Sequence, residues 1–162
     1  MATTQKTQFG TEAAFTITVD SLANAGGRVS DQVDLTDASA IAADLLLVHF
    51  KVVTTASTAN KGIEFWLVRG DENGTPYRDG SVAATDTGYT SGSSPFTAAQ
   101  LREQMELLHV QNNTLATAQT YQGSFYVRNP GRRFSLYVYN DTGAALGTGC
   151  VVRYQAQWGY SA

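Results

Sequence analysis

The sequence predicts an all-β fold, an antiparallel β-sandwich, and three observations predict it. The last third of the chain holds three apolar-alternating segments in close succession, Tyr121 to Arg128, Arg133 to Tyr139 and Gly149 to Trp158. The longest apolar run, Leu45 to Thr54, carries Val52 and Val53 and has the length of a central strand. Helix signals, by contrast, are confined to one short segment between strand blocks. Eight or so strands around one helix point to antiparallel sheets rather than a parallel sheet covered by helices on both faces. A short helix in a long crossover favours a jelly roll, with an immunoglobulin-like sandwich as the second choice.

Taken in order, residues Met1 to Gly10 are polar, rich in Thr and Gln, and without an apolar period, which predicts a flexible N-terminal arm. Residues 11–162 form the single sandwich domain. Ala14 to Asp20 puts Phe15, Ile17 and Val19 on one face as a half-buried strand, and 23–27 is a turn cluster. Arg28 to Leu35 places Val29, Val33 and Leu35 on one side of a polar strand, an edge or a partner-facing element. Thr36 to Asp44 reads equally as a helical turn or a loop. Leu46, Val48, Phe50 and Val52 form the core face of the next strand, opposite a mixed face of Leu47, His49 and Lys51. After a turn at 55–62, Ile63 to Arg69 returns with Ile63, Phe65 and Leu67 inward, and the two strands are expected to form a hairpin.

Gly70 to Pro95 is loop-like, and a connection of that length is either functional or contains a further short strand. Thr97 to Gln100 has capping-box spacing, and Leu101 to Leu107 continues it as two helical turns. Asn112-Asn113 marks a turn. In the final strand Cys150, Val152, Tyr154, Ala156 and Trp158 share one face and Val151, Arg153, Gln155 and Gln157 the other, because successive strand side chains point to opposite sides. The first set is the face for burial, and with it Cys150 is expected to be buried and inert.

Composition narrows the function classes. At 162 residues the chain is long enough for one well-buried core. Charged residues make up only 15%, which suits a protein that covers part of its surface with neighbours. Eleven basic against 14 acidic residues argue against a nucleic-acid surface, where phosphate neutralisation needs clustered Lys and Arg. A single cysteine excludes an internal disulfide and a multi-cysteine metal site. No stretch has the ~20 apolar residues of a membrane span, and the first residues have no apolar core like that of a signal peptide, so a soluble protein made in a cytoplasm is expected.

Catalytic equipment is not evident. Neither His49 nor His109 sits in a motif, no Gly-x-Ser-x-Gly elbow occurs, and the His-x-Asp/Glu pattern of an iron facial triad fails at both histidines. Glu64 and Glu106 are the least implausible acid pair for glycoside cleavage, but isolated acids on strands usually only solubilise. Arg69-Gly70-Asp71 spells an integrin tripeptide that three common residues produce by chance. Asp71 to Thr75 has calcium-loop spacing but lacks the twelfth-position Glu, where Val82 stands. No catalytic, cofactor or metal residue is therefore assigned. The binding candidates are Phe9, an anchor in the arm, and Trp66, which lies on the face opposite Ile63, Phe65 and Leu67. With Tyr126, Tyr137 and Tyr139, Trp66 forms either a platform for stacking sugar rings or a face that is the second layer of the sandwich or an oligomer interface, the interface being the favoured reading.

Taken as a whole, the polar arm Met1 to Gly10, the Ser/Thr/Gly-rich loop Gly70 to Pro95 and the dense strand block Tyr121 to Trp158 resemble the small β-sandwich structural proteins of tailed bacteriophages, in particular capsid decoration or cement proteins. The resemblance implies a homotrimer on the outside of a virion that ties major capsid protein subunits together, with no substrate and no cofactor. Tail and fibre sandwiches share the same composition, and the alternative function is a carbohydrate-binding sandwich of a phage tail or a secreted protein.

Overall fold

The computed structural model describes residues 5–35, 43–69, 87–90, 102 and 105–161, without the side chains of residues 5, 6, 87–90, 160 and 161. The strands are β1 (Gln5–Phe9), β2 (Ala13–Ala14), β3 (Gly26–Val29), β4 (Val33–Asp34), β5 (Leu45–Thr54), β6 (Gly62–Arg69), β7 (Thr87–Thr90), β8 (Glu106–Asn112), β9 (Gln119–Arg128), β10 (Arg133–Asp141) and β11 (Val151–Ser161). They form two antiparallel sheets. In the first the order is β1-β11-β5-β9, with β2 also on β11; in the second it is β7-β3-β10-β6-β8, with β4 also on β10. The fold is an all-β sandwich, as the alternation predicts.

Between the sheets lies one apolar cluster, built from the alternate residues expected to be buried. Leu46, Val48 and Val52 have no exposed surface and Phe50 almost none, and Ile63, Phe65 and Leu67 meet them from the other sheet. Val152 and Ala156 of β11 complete the floor, with Cys150, Tyr154 and Trp158 packed beside them. Aromatic contacts bridge the layers: the Phe50 and Phe65 rings are 4.9 Å apart, and Phe125 lies 5.4 Å from Phe65. Removing such area from water is the main stabilising term, roughly 25 cal/mol per Å².

Several expected connections differ. β5 and β6 are not a hairpin, since β5 pairs with β11 and β9 while β6 pairs with β10 and β8. Both strands bury one face in the same core, so the segment between them crosses from one sheet to the other. That crossing is tied down by Ser57 Oγ donating to Leu115 O at 2.9 Å and by the Asn60 and Asn113 N–H groups donating to Asn113 O and Lys61 O. Of the strand predicted over Ala14 to Asp20 only Ala14 is laddered, as part of β2 on β11. Phe15 N–H donates to Val152 O of the first sheet, while Thr16 O accepts from Asp31 N–H near the second, so the chain changes layer there. Phe15 and Val19 stay buried and Ile17 partly so, which preserves the predicted alternation.

A bulge splits the predicted strand Arg28 to Leu35. Val29 pairs with Tyr137 and Val33 with Phe134, so Ser30, Asp31 and Gln32 stand opposite Ser135 and Leu136. The extra residue turns Val29 to the outer face and Val33 and Leu35 to the core, instead of placing all three together. Ser30 repairs the gap, its Oγ accepting from Leu136 N–H at 2.9 Å. β3 is also not an edge, because β7 pairs outside it. That strand lies in the long Gly70 to Pro95 connection, where a further short strand was one of two expectations; the remaining residues of that loop lie outside the described ones, as do 36–42 and the capping box at 97–100.

The arm and the helix also change. Gln5–Phe9 is not an extended flexible arm but the edge strand β1, in register Gln5↔Ser161 to Phe9↔Gln157 on β11. Gly10 continues the contact, its N–H donating to Ala156 O at 2.8 Å, and lies so close over the Trp158 ring that a Cβ there would sit 2.9 Å from it. Arg102 is helical, but Glu106 and Leu107 belong to β8, where pairing with Leu67 and Trp66 overrides the local helical spacing.

A second, smaller cluster covers the outer face of the second sheet: Val29, Val68, Tyr137 and Tyr139, with Trp66 and Met105 against them. Gly27 makes room for it. A Cβ on Gly27 would fall 1.9 Å from Tyr137 Oη and 2.3 Å from its Cζ. Gly27→Ala is expected to force the Tyr137 ring out of place and cost roughly 1–3 kcal/mol, the usual penalty for overpacking. Urea denaturation checks it; an unchanged midpoint would show that Tyr137 relocates freely.

Candidate functional site

The two sandwich faces are covered to different extents. On the second sheet, Arg102 and Met105 of the chain itself pack over the outer cluster. The Arg102 guanidinium lies 4.3 Å above the Tyr139 ring and donates to both carboxylate oxygens of Glu64, at 3.1 and 3.0 Å. Burial acts on this guanidinium first and disfavours its charge, but the Glu64 carboxylate outweighs that and raises its pKa. Trp66 donates its indole N–H to the same carboxylate at 2.9 Å and is half-buried.

Trp66 does lie opposite Ile63, Phe65 and Leu67, but two of the tyrosines grouped with it, Tyr137 and Tyr139, are not open to a ligand. Tyr137 has no exposed surface and Tyr139 only 7%. What remains open beside Trp66 is the β8 margin. Leu107 pairs directly with Trp66, and Val110 with Glu64, and both are exposed. Trp66, Leu107 and Val110 thus form an apolar rim at one side of the molecule, where β8 lies against β9.

Phe9 stands at the other side. It is 60% exposed on the edge strand β1 and heads a row of directly paired residues that crosses the first sheet: Phe9, Gln157, Leu45 and Arg128. The next row contains Gln155, Leu47 and Tyr126, and Tyr126 is also 60% exposed. Directly paired residues share a face, so this is the outer surface of the first sheet, and no described segment of the chain covers it as Arg102 and Met105 cover the other. A groove of about 560 Å³ opens at its β9 side, lined by Asp44, Leu45, Tyr126, Arg128, Asn129 and Gln157.

The groove wall is fixed from both flanks. Asp44 N–H donates to Gln157 O at 3.0 Å, Asp44 O accepts from Asn129 N–H at 2.9 Å, and Asp44 Oδ2 accepts from Gly159 N–H at 2.6 Å. Asn129 has a left-handed backbone, φ 48°, and its carbonyl is held by Arg69 Nη1 at 2.6 Å. Sequence reading did not single out this group, because Asp44, Tyr126 and Gln157 come from three distant segments that only the strand order brings together.

The remaining candidate residues are engaged structurally. Glu64 is bound by Arg102, and Glu106 by Arg69 at 2.7 Å. Arg69 is thus committed, while Gly70 to Thr75 lie outside the described residues. His49 is on the outer face of the first sheet, whereas His109 points between the sheets and stacks on Phe125 at 5.1 Å, so the two do not converge. Among the described residues no group of three His, Cys, Asp or Glu side chains is placed to hold a metal. Cys150 is half-buried rather than fully buried; Val53 N–H donates to its Sγ at 3.3 Å, and burial pushes the thiol pKa up, which slows its reaction as thiolate. Its backbone N–H and that of Gly149 both donate to Asp20, which lowers the pKa of that carboxylate. No family model matches the chain, and no curated protein matches it closely enough to count as a relative.

His109 supplies a pH test of this arrangement. Burial among Phe50, Phe65 and Phe125 lowers its pKa below the ordinary 6.5. The unfolded chain therefore takes up the proton first as pH falls, so the stabilising contribution is complete above about pH 7 and declines below about pH 6.5. Thermal melts between pH 7.5 and 5 are expected to show this decline, with a shallower one in His109→Gln. Equal slopes would mean that His109 is as solvated folded as unfolded.

Proposed function

We propose that this chain is a non-enzymatic virion structural protein that decorates a bacteriophage capsid and stabilises it by bridging major capsid protein subunits as a closed homotrimer. The observation that carries the reading is the placement of two apolar margins on opposite sides of one sandwich, Phe9 on β1 and Trp66, Leu107 and Val110 at β8. A contact between unlike patches is heterologous, and such contacts close into rings when the rotation between copies allows. The β1 margin of one copy against the β8 margin of the next covers both. The resulting ring presents every other surface in triplicate, and weak contacts with a shell then add through effective concentration.

The strand order supports the same class. Four strands in the order β1-β11-β5-β9 face five in the order β7-β3-β10-β6-β8; with β7 and the two-residue strands β2 and β4 set aside, the remaining eight change sheet at six of seven steps. We read this as the two interlocked Greek keys of a jelly roll, an architecture of viral capsid and lectin domains. Because one fold hosts unrelated functions, this adds only to the class.

Sedimentation of the purified protein at micromolar concentration is expected to give a trimer, and Phe9→Asp and Leu107→Asp are each expected to give monomers with little change in the thermal transition, since both side chains are exposed. A wild-type monomer would defeat the ring. The capsid role is checked separately by adding purified trimer to shells lacking it, with stoichiometric uptake expected; a trimer that does not add would overturn that role and leave the ring standing.

A further inference from the structure

We propose that the groove at the β9 side of the first sheet binds a neutral carbohydrate, a short oligosaccharide of hexopyranose units, with one sugar ring laid on the face of Tyr126. This goes beyond the virion reading and does not rest on it. The groove, about 560 Å³ and open on one side, is of small-molecule size. Tyr126 offers a ring that is 60% exposed, beside a floor contributed by Leu45.

The polar groups around that ring are unspent. Among the described residues the side chains of Arg128, Asn129 and Gln157 make no hydrogen bond or ion pair, and Asp44 uses Oδ2 on Gly159 N–H, which leaves Oδ1 without a partner among them. This contrasts with the exposed ion pairs elsewhere on the molecule, such as Lys61 with Asp141 and Arg153 with Glu12. The backbone that carries the groove's polar side chains is held by the bonds on both flanks of Asp44 and by Arg69 on the Asn129 carbonyl, so binding has side chains to order but little backbone.

The chemistry of this set selects its ligand. A pyranose has an apolar C–H face that matches a tyrosine ring, and adjacent hydroxyls that both donate and accept. Planar carboxylate, amide and guanidinium groups meet such hydroxyl pairs with two parallel hydrogen bonds. One Arg against one Asp leaves no net charge to attract a phosphate or other anion, and a purely apolar ligand would desolvate four polar groups without replacing their hydrogen bonds. A neutral polyol with one apolar face satisfies both constraints.

The test uses the full chain on an array of neutral oligosaccharides built from hexoses and N-acetylhexosamines, with sulfated and phosphorylated glycans alongside, followed by a ¹H–¹⁵N titration with the best neutral binder. At least one neutral glycan is expected to bind and to shift the amides of Tyr126, Arg128 and Gln157. Tyr126→Ala is expected to weaken it at least tenfold, Tyr126→Phe by less than threefold because the ring remains, and Gln157→Ala by three- to tenfold, all with wild-type thermal transitions. The proposal is overturned if no neutral glycan binds at millimolar concentration, if only anionic glycans bind, or if binding survives Tyr126→Ala unchanged. Shifts of these amides on adding capsid shells but with no sugar would reassign the groove to protein docking, and overturn it equally.

Discussion

The contact of Phe50 with Phe65 across the interior is the constraint on which the rest of the structure depends. These rings belong to successive strands in different sheets, and bringing their centroids to 4.9 Å requires the chain to leave one layer and enter the other between Thr54 and Gly62. Once β5 and β6 face each other in this way, neither can pair with its sequence neighbour, and each must find partners from the last third of the chain. β5 takes β9 and β11, and β6 takes β10. Gly123 serves the same contact from the side, since a Cβ there would lie 2.7 Å from the Phe50 ring. The cost is long-range closure before any of these contacts form, which makes slow folding the expectation for such a topology.

Much of this was legible in the sequence, and the part that was not has one physical origin. Period-two alternation reports which face of a strand is buried, so the core faces of β5, β6 and β11 were readable at Leu46, Val48, Phe50, Val52, Ile63, Phe65, Leu67, Val152 and Ala156. Alternation is silent about which strand lies alongside, because a hairpin and a sheet-to-sheet crossing bury the same faces. Pattern alone therefore does not separate a β5–β6 hairpin from the crossing that the structure has. The bulge at Ser30 to Gln32 was hidden because one added residue leaves composition unchanged while it inverts every later side chain. β1 was hidden because four of its five residues are polar, and what orders it is backbone pairing to β11, since Thr7, Gln8 and Phe9 stay exposed.

The candidate surface was the least legible of all. Trp66 drew notice as a large aromatic on the non-core face, yet that face carries its own cover: Gly27 admits the Tyr137 ring, Arg102 caps Tyr139, and Glu64 gathers both Arg102 and the Trp66 indole. One carboxylate thus organises a layer that would otherwise expose two tyrosines and a tryptophan. Pattern alone does not separate an outward aromatic with such a cover from one without it.

Among the described residues the opposite sheet has no equivalent of the Glu64 and Arg102 cover, and this asymmetry decides where binding is to be sought. Its outer face presents Phe9 and Tyr126 at 60% exposure, with glutamine, leucine and arginine side chains between them. Large aromatic side chains gain by leaving water, and the chain itself covers Tyr137 and Tyr139 but not these two. The second sheet's outer face is thus shielded by the chain itself, whereas the first leaves polar side chains beside an open ring. Phe9 lies at the margin where a neighbouring copy would pack, and Tyr126 lies three strands away across the sheet. In the proposed ring, contact at β1 leaves the groove beside β9 clear on that side, whereas contact at the β8 margin, which lies against β9, brings a neighbouring copy close to it, so assembly and ligand binding meet at the β8–β9 side of the molecule.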